Sequence, residues 1–131
     1  MQKPHILVVD DEEDVRDRLA NYISRRVNCS VEKAGSGEEA LEKLKKHNFD
    51  LVLLDIKMPG LSGIDVMYEA AKFTPQTKFL AISAYDSHEV ASQALKAGAI
   101  DFIPKPHTSE GVGLKVKDIL IEMGKYEPRK H

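Results

Sequence analysis

Short apolar runs alternate with longer amphipathic stretches along this chain. Three runs of four apolar residues, at 6–9, 51–54 and 79–82, each end abruptly at a polar residue. Such runs are typical of strands that are buried on both faces of a parallel sheet. A weakly alternating segment at 29–34 and a mixed segment at 101–105 predict two further strands.

Five amphipathic helices are predicted between and after these strands. Their apolar residues recur three and four positions apart, with charged residues on the opposite face. Ser36 and Ser109 are candidates for N-caps, and Gly98 is placed to end the fourth helix. The first four predicted helices cover residues 12–27, 38–47, 64–73 and a segment around 90–97. The last follows the cap at Ser109 and has an apolar face from Val112 to Met123.

The strict alternation of strand and helix predicts an α/β fold with a parallel sheet covered by helices on both faces. Pro104 lies in the fifth predicted strand, and proline is confined to edge strands or strand ends because it lacks a backbone donor. We therefore predict a five-stranded, doubly wound sheet of the flavodoxin-like order 2-1-3-4-5. Residues 1–123 form one domain in this interpretation, and 124–131 form a flexible tail, a linker or the start of a tag.

Composition narrows the class of protein. The 131 residues carry 19 Lys and Arg against 21 Asp and Glu, a formal charge of −2, so no global basic field attracts nucleic acid or anionic lipid. The single cysteine, Cys29, excludes an internal disulfide and any cysteine-cluster zinc site. No apolar run approaches the roughly 20 residues that a membrane helix needs. We expect a cytoplasmic domain that contacts neither membrane nor nucleic acid directly.

Polar side chains follow four of the predicted strands. Asp10 and Asp11 end the first, Asp55 the third, Ser83 the fourth, and Lys105 the fifth. Parallel strands end at the same edge of a sheet, where ligands of such folds bind. Clustered carboxylates repel one another unless a hard cation holds them, and Mg²⁺ in such sites also takes phosphate oxygens. The pattern thus indicates Mg²⁺-dependent phosphoryl chemistry, without singling out one aspartate.

Several short motifs recur in order at these strand ends. They are 6–11 (ILVVDD), Asp55 followed by Met58-Pro59 and Gly63, Ser83-Ala84, and 98–106 (GAIDFIPKP). With these motifs the chain resembles the receiver domain of two-component response regulators over residues 4 to about 122, and it is similar in size to the stand-alone chemotaxis regulator.

The resemblance implies a phosphoacceptor role for Asp55, which would take a phosphoryl group from the phosphohistidine of a partner kinase. Mg²⁺ would be held by Asp10, Asp11, a carboxylate oxygen of Asp55 and the main-chain carbonyl of Lys57, with Asp11 the favoured direct ligand of the acid pair. Such a domain is a signalling module rather than an enzyme, although small phosphodonors can phosphorylate it and it dephosphorylates itself slowly.

The resemblance also implies a switch. Lys105 would pair with Asp55 before transfer and with a phosphoryl oxygen afterwards, while Ser83 donates its hydroxyl to another phosphoryl oxygen. Phe102 would then rotate inward behind Ser83, changing the face formed by the fourth helix, fifth strand and fifth helix. Lys105-Pro106 resembles the family's cis peptide. Lys57 and Tyr85 flank the path of a hydrolytic water, which predicts slow loss of the phosphoryl group.

The implied partners are a sensor histidine kinase or phosphotransfer protein and a downstream protein or effector domain, with phosphorylation-linked dimerisation a further option. An alternative is a receiver fold that only binds proteins and is not phosphorylated. Other classes fit less well. The acidic segment 10–13 would repel the phosphate of a flavin, Lys57 replaces the second aspartate of a haloacid dehalogenase-type phosphatase, and no dinucleotide-binding glycine motif follows the first strand.

Overall fold

A computed structural model describes residues 3–84, 88–105 and 107–128 of the chain. Its five strands form one sheet in the order β2-β1-β3-β4-β5, and every neighbouring pair is parallel. This confirms the predicted sheet order and the edge position of the strand that contains Pro104. The strands are β1 (His5–Val9), β2 (Ser30–Ala34), β3 (Leu51–Asp55), β4 (Lys78–Ala84) and β5 (Asp101–Lys105).

The helices lie close to their predicted positions. Most boundaries move by one or two residues, because a helix end depends on its capping contacts more than on its apolar pattern. Ser36 caps the second helix as predicted, since its side chain accepts from the Glu39 backbone N–H. The helices are α1 (Glu13–Arg26), α2 (Gly37–Lys46), α3 (Gly63–Ala71), α4 (His88–Lys96) and α5 (Ser109–Glu122).

Each face of the sheet carries its own apolar core. On one face α2, α3 and α4 pack against alternate strand residues such as Leu7, Val52 and Leu54. On the other face α1 and α5 pack against the intervening residues, including Ile6 and Leu53. Because β1 and β3 are buried on both faces, every residue of their predicted apolar runs is inaccessible to solvent.

Two details of the last helix and the segment that follows it differ from the sequence prediction. Thr108, not Ser109, is the N-cap of α5, because its side-chain oxygen accepts from the Gly111 backbone N–H at 2.9 Å. In addition, the described part of the predicted flexible tail is packed. The Lys125 ammonium pairs with Asp50, the Asn28 side chain donates to the Glu127 carbonyl, and Tyr126 packs against the core beneath α1 and α5. The boundary of the domain stays a prediction.

Candidate functional site

Three carboxylates meet at the carboxyl edge of the sheet. Oxygen atoms of Asp10, Asp11 and Asp55 all lie within 4.8 Å of one another. Asp10 and Asp55 are buried, with 4% and 3% of their surface exposed, whereas Asp11 is open to solvent. The strand order produces this arrangement, because β1 and β3 are hydrogen-bonded neighbours that end side by side. Solvent can therefore reach the cluster from the side of Asp11, whereas Asp10 and Asp55 are covered by the protein.

Lys105 brings a positive charge to the same cluster. Its Nζ lies 3.1 Å from Asp55 Oδ2 and 3.6 Å from Asp10 Oδ2. The Lys105 side chain is 27% exposed, so it reaches from the edge strand over a partly solvated surface. Burial alone lowers the pKa of this ammonium, but the facing carboxylates of Asp55 and Asp10 raise it above its usual value. Lys105 therefore stays charged at neutral pH.

Burial changes the acidity of the Asp55 carboxyl group. Burial raises its pKa to about 6, and the negative charge of Asp10 adds to the rise. The Lys105 ion pair and the Lys57 backbone N–H, which donates to Asp55 Oδ1 at 3.2 Å, act in the opposite direction but do not cancel the burial. A further positive charge near Asp55 would therefore stabilise its ionised form.

A main-chain hydrogen bond connects the two ends of the loop that follows Asp55. The Gly63 backbone N–H donates to the Ile56 carbonyl at 2.9 Å, and Ser62 and Asp65 form a capping box that starts α3. Gly63 has no room for a side chain, since a Cβ there would lie 2.7 Å from the Asp55 carbonyl oxygen. Gly60 has a φ of 75°, which glycine adopts without strain. This loop geometry keeps Lys57 beside Asp55.

Ser83 and Phe102 occupy the two strands beyond Asp55. Ser83 is 1% exposed, and among the residues that the structure describes its Oγ finds no hydrogen-bond partner. A buried hydroxyl without a partner is uncommon and is a typical feature of functional sites. Phe102 lies opposite Ala81 on β5 and packs, partly buried, against the core formed with α2, α3 and α4.

A family model for the response regulator receiver domain matches residues 6–116, a range that contains all of the side chains above. The chain belongs to this family. Receiver domains accept a phosphoryl group in two-component signal transduction, bind Mg²⁺ at an acidic pocket, and interact with histidine kinases and downstream effector domains. The alternative of a fold that only binds proteins is not favoured.

The receiver domain has many relatives among known proteins. It is 39% identical over 101 residues to the chemotaxis protein CheY of Thermotoga maritima, covering 77% of this chain and 84% of that protein. It is 41% identical over 106 residues to the response regulator protein PilR of Pseudomonas aeruginosa, covering 81% of this chain but only 24% of PilR. The chain thus spans a quarter to a half of the length of several relatives that it matches.

Solved structures give the same result. A receiver domain protein described as CheY-like, from Methanospirillum hungatei JF-1, superposes with a TM-score of 0.87 at 31% identity, covering 95% of this chain and 98% of that one. In the part of the chain that the structure describes, no helix of this receiver domain is long and apolar enough to cross a membrane.

Sequence reasoning missed one residue beside the receiver site. The Arg16 guanidinium donates to the main-chain carbonyl of Asp10 at 3.2 Å, while Asp10 Oδ1 accepts from the Glu12 backbone N–H at 2.9 Å. Arg16 therefore holds the backbone of Asp10 from within α1. Its only sequence signal is its position one turn into a helix that follows the acidic pair, which does not distinguish it from a surface arginine.

Two sequence predictions lie outside the described residues. They are the cis peptide between Lys105 and Pro106 and the placement of Tyr85 beside the phosphoryl site.

Proposed function

We propose that Asp55 is the phosphoacceptor of this receiver domain. An oxygen of its carboxylate attacks the phosphorus of a phosphohistidine on a kinase or phosphotransfer protein. A new P–O bond forms as the P–N bond breaks and the imidazole leaves. The observation that supports this best is the central position of Asp55. It is the one of the three clustered carboxylates that is buried and also contacts Lys105 at hydrogen-bond distance.

The acidic cluster fits Mg²⁺. Its donors are carboxylate oxygens, the ligand type that Mg²⁺ prefers, and they come from Asp10, Asp11 and Asp55. We assign the main-chain carbonyl of Lys57 as a further ligand from the loop beside Asp55. The ion, when bound, offsets the charge of the carboxylates and of the incoming phosphoryl oxygens.

Lys105 and Ser83 act on the transferred group in this proposal. Lys105 remains protonated and exchanges its contact with Asp55 for one with a phosphoryl oxygen, because transfer moves negative charge outward from the carboxylate. The buried hydroxyl of Ser83 has no partner within the described part of the chain, and the phosphoryl group supplies an acceptor for it. Both residues bind the product better than the starting carboxylate.

Phosphorylation by a small donor tests the assignment of Asp55. The protein is incubated with Mg²⁺ and acetyl phosphate at neutral pH, and its intact mass is measured. We expect one added phosphoryl group in the wild type and none in Asp55→Asn. Asp118→Asn, which removes an exposed carboxylate from α5, serves as the matched control and retains phosphorylation. Phosphorylation of Asp55→Asn at the wild-type level would contradict the proposal.

We also propose that the phosphoryl group changes the surface formed by α4, β5 and α5. Ser83 moves toward the phosphoryl oxygen, and Phe102 follows into the space behind it, since both lie on adjacent strands at the edge of the sheet. This surface then changes its affinity for a downstream protein, an effector domain or a second copy of the domain. Amide shifts on phosphorylation should be larger in β5 than in β2. Equal shifts in both strands would contradict the switch.

The aspartyl phosphate of this domain should be long-lived. Lys57, which is exposed two residues after Asp55, flanks the approach of water to the phosphorus and hinders a hydrolytic attack. The measurement is the decay of the purified, Mg²⁺-bound phosphoprotein by intact mass. Lys57→Ala should shorten its lifetime, and a wild-type half-life of seconds would overturn the expectation.

The cellular setting follows from this role. We infer a cytoplasmic receiver domain covering residues 1–123, in keeping with a single, buried cysteine, Cys29, and with the absence of a global basic charge.

A further inference from the structure

The turn between β2 and α2 contacts the phosphoacceptor loop without reaching the reacting atoms. The sequence Gly35-Ser36-Gly37 forms this turn, and Gly37 is the buried first residue of α2. Among the described residues, positive φ values occur at Gly60, Gly98 and Gly124 but not at Gly37. Glycine is therefore not required at position 37 by its backbone conformation.

Gly37 is required by the space around it. A Cβ at this position would lie 2.7 Å from the Leu61 carbonyl oxygen, 2.9 Å from Val66 Cγ2 and 3.0 Å from Leu61 Cβ. The nearest of these atoms belongs to the main chain and cannot rotate away. Any side chain at position 37 must therefore push α2 and the Leu61 peptide apart.

Leu61 lies in a short loop that is fixed at both ends. The loop begins where the Lys57 backbone N–H contacts Asp55 Oδ1, and it closes where the Gly63 N–H donates to the Ile56 carbonyl. Because the loop is short and held at both ends, by the Asp55 side chain at Lys57 and by a main-chain bond at Gly63, we expect a shift at Leu61 to move the peptide at Lys57. That peptide carries one of the proposed Mg²⁺ ligands.

We propose that Gly37 is a positioning residue for the phosphoacceptor loop. Its missing side chain lets the start of α2 seat directly against the Leu61 carbonyl, which sets the distance between the Lys57 carbonyl and the three carboxylates. This inference rests on the Mg²⁺ site of the proposed function and adds a residue that touches neither the ion nor the phosphoryl group.

Helix propensity and packing predict opposite effects for Gly37→Ala. Alanine is the better helix former, so a residue that served only to begin α2 would give an equally or more stable protein with an unchanged site. A positioning residue instead gives weaker Mg²⁺ binding, because the loop that supplies the carbonyl is displaced.

The test compares Gly37→Ala with Gly113→Ala. A Cβ at Gly113 would meet the Tyr22 ring at 2.9 Å, so this control introduces a similar clash between α1 and α5, on the opposite face of the sheet. Mg²⁺ affinity is measured by titration, and amide shifts of residues 57–62 are recorded in the metal-free protein. We expect about tenfold weaker Mg²⁺ binding and shifted loop amides in Gly37→Ala, but wild-type affinity in Gly113→Ala.

The outcomes separate the two proposals. If wild-type protein does not bind Mg²⁺, the proposed function fails. If the wild type binds and Gly37→Ala binds equally well with unshifted loop amides, the positioning role fails. Should Gly37→Ala not fold, the double variant Gly37→Ala/Val66→Ala takes its place, because it removes the Val66 contact and keeps the clash with the carbonyl. Wild-type Mg²⁺ affinity in that variant also overturns the inference.

Discussion

The Asp55 side chain is only 4% exposed, yet its charge is central to the chemistry proposed for this domain. Burial costs the ionised form more than the Lys105 contact returns, which is why its pKa lies near 6 in the metal-free protein. An ionised carboxylate in this environment destabilises the fold. This free-energy cost falls when a cation binds beside it or when the carboxylate is phosphorylated. In the proposed site, part of the binding energy of Mg²⁺ would therefore come from the relief of a local electrostatic cost.

The first residue-scale prediction concerns pH. The folded-state pKa of Asp55, about 6, lies above its unfolded value of 3.8, so the folded state loses stability as pH rises through this window. The loss is on the order of 3 kcal/mol, taking about 1.4 kcal/mol for each pKa unit. Asp55→Asn lacks this contribution. In urea unfolding with a chelator, the free energy of unfolding of Asp55→Asn should therefore rise relative to wild type between pH 4 and pH 7. A pH-independent difference would contradict the raised pKa.

A second prediction separates stability from chemistry at Ser83. Its buried hydroxyl has no partner among the described residues, so Ser83→Ala should leave the free energy of unfolding within about 1 kcal/mol of wild type. Phosphorylation by acetyl phosphate should slow by about a hundredfold, since a donor to the phosphoryl oxygens is lost. Ser83→Thr retains the hydroxyl and should recover most of the rate. A Ser83→Ala protein that phosphorylates at the wild-type rate would remove Ser83 from the site.

At the scale of single residues, the sequence predicted the site residues that lie at strand ends. It did not predict the residues whose contacts depend on how neighbouring elements pack. Asp10, Asp55 and Lys105 converge because each ends a strand of a parallel sheet, and alternation along the chain reveals those ends. Arg16 acts through the main chain of Asp10, just before its own helix, and Gly37 through the packing of α2 against Leu61 in another loop. No periodicity encodes such a contact, because it depends on where a neighbouring element comes to rest.

At the scale of elements, the end of α5 is the largest departure from the sequence prediction. The polar segment after Glu122 has the composition of a tail, yet residues 125–127 are held by contacts to two loops and to the core. The anchoring partners Asn28 and Asp50 precede β2 and β3, at the amino end of the sheet. A local pattern cannot predict this packing, since only the completed sheet brings those loops together.

The packing of Tyr126 leads to a prediction for stability. Tyr126→Ala should lower the free energy of unfolding by about 1 kcal/mol, because a partly buried aromatic ring is lost from the core. Glu127→Ala is the matched control: the Glu127 contact to Asn28 is made by its main-chain carbonyl and survives the substitution. Chemical denaturation of both variants checks the expectation. Equal stability of the two proteins would show that the packing of the Tyr126 ring contributes nothing to the fold.

The order of the strands and helices could be predicted from the sequence, whereas their exact ends could not. Buried strands appeared as apolar runs, and Pro104 identified the edge strand, because a proline within the sheet would remove a backbone donor. The N-cap of α5 was placed one residue late, since Thr108 and Ser109 are both favoured cap types and serine is the better of the two. Only the position of the Gly111 N–H decides between them.

For the whole molecule, we predict stabilisation by Mg²⁺. An ion that binds only the folded state raises the free energy of unfolding by about 2.7 kcal/mol at a hundred times its Kd. The melting temperature of the wild type should therefore rise by several degrees between chelator and saturating Mg²⁺. Asp55→Asn should show a much smaller rise, and Asp118→Asn the full one. An equal rise in all three proteins would mean that the ion binds elsewhere.

The acidic cluster and the anchored carboxyl-terminal segment lie at opposite ends of the sheet. The carboxylates, Lys105 and Ser83 lie at its carboxyl end, whereas Lys125 meets Asp50 at its amino end. A dye or a surface tether joined beyond Pro128 would accordingly begin on the side of the molecule that faces away from the proposed phosphoacceptor, Asp55. Docking of a phosphodonor could then be followed by single-molecule fluorescence or on a sensor chip without the attachment obstructing its approach.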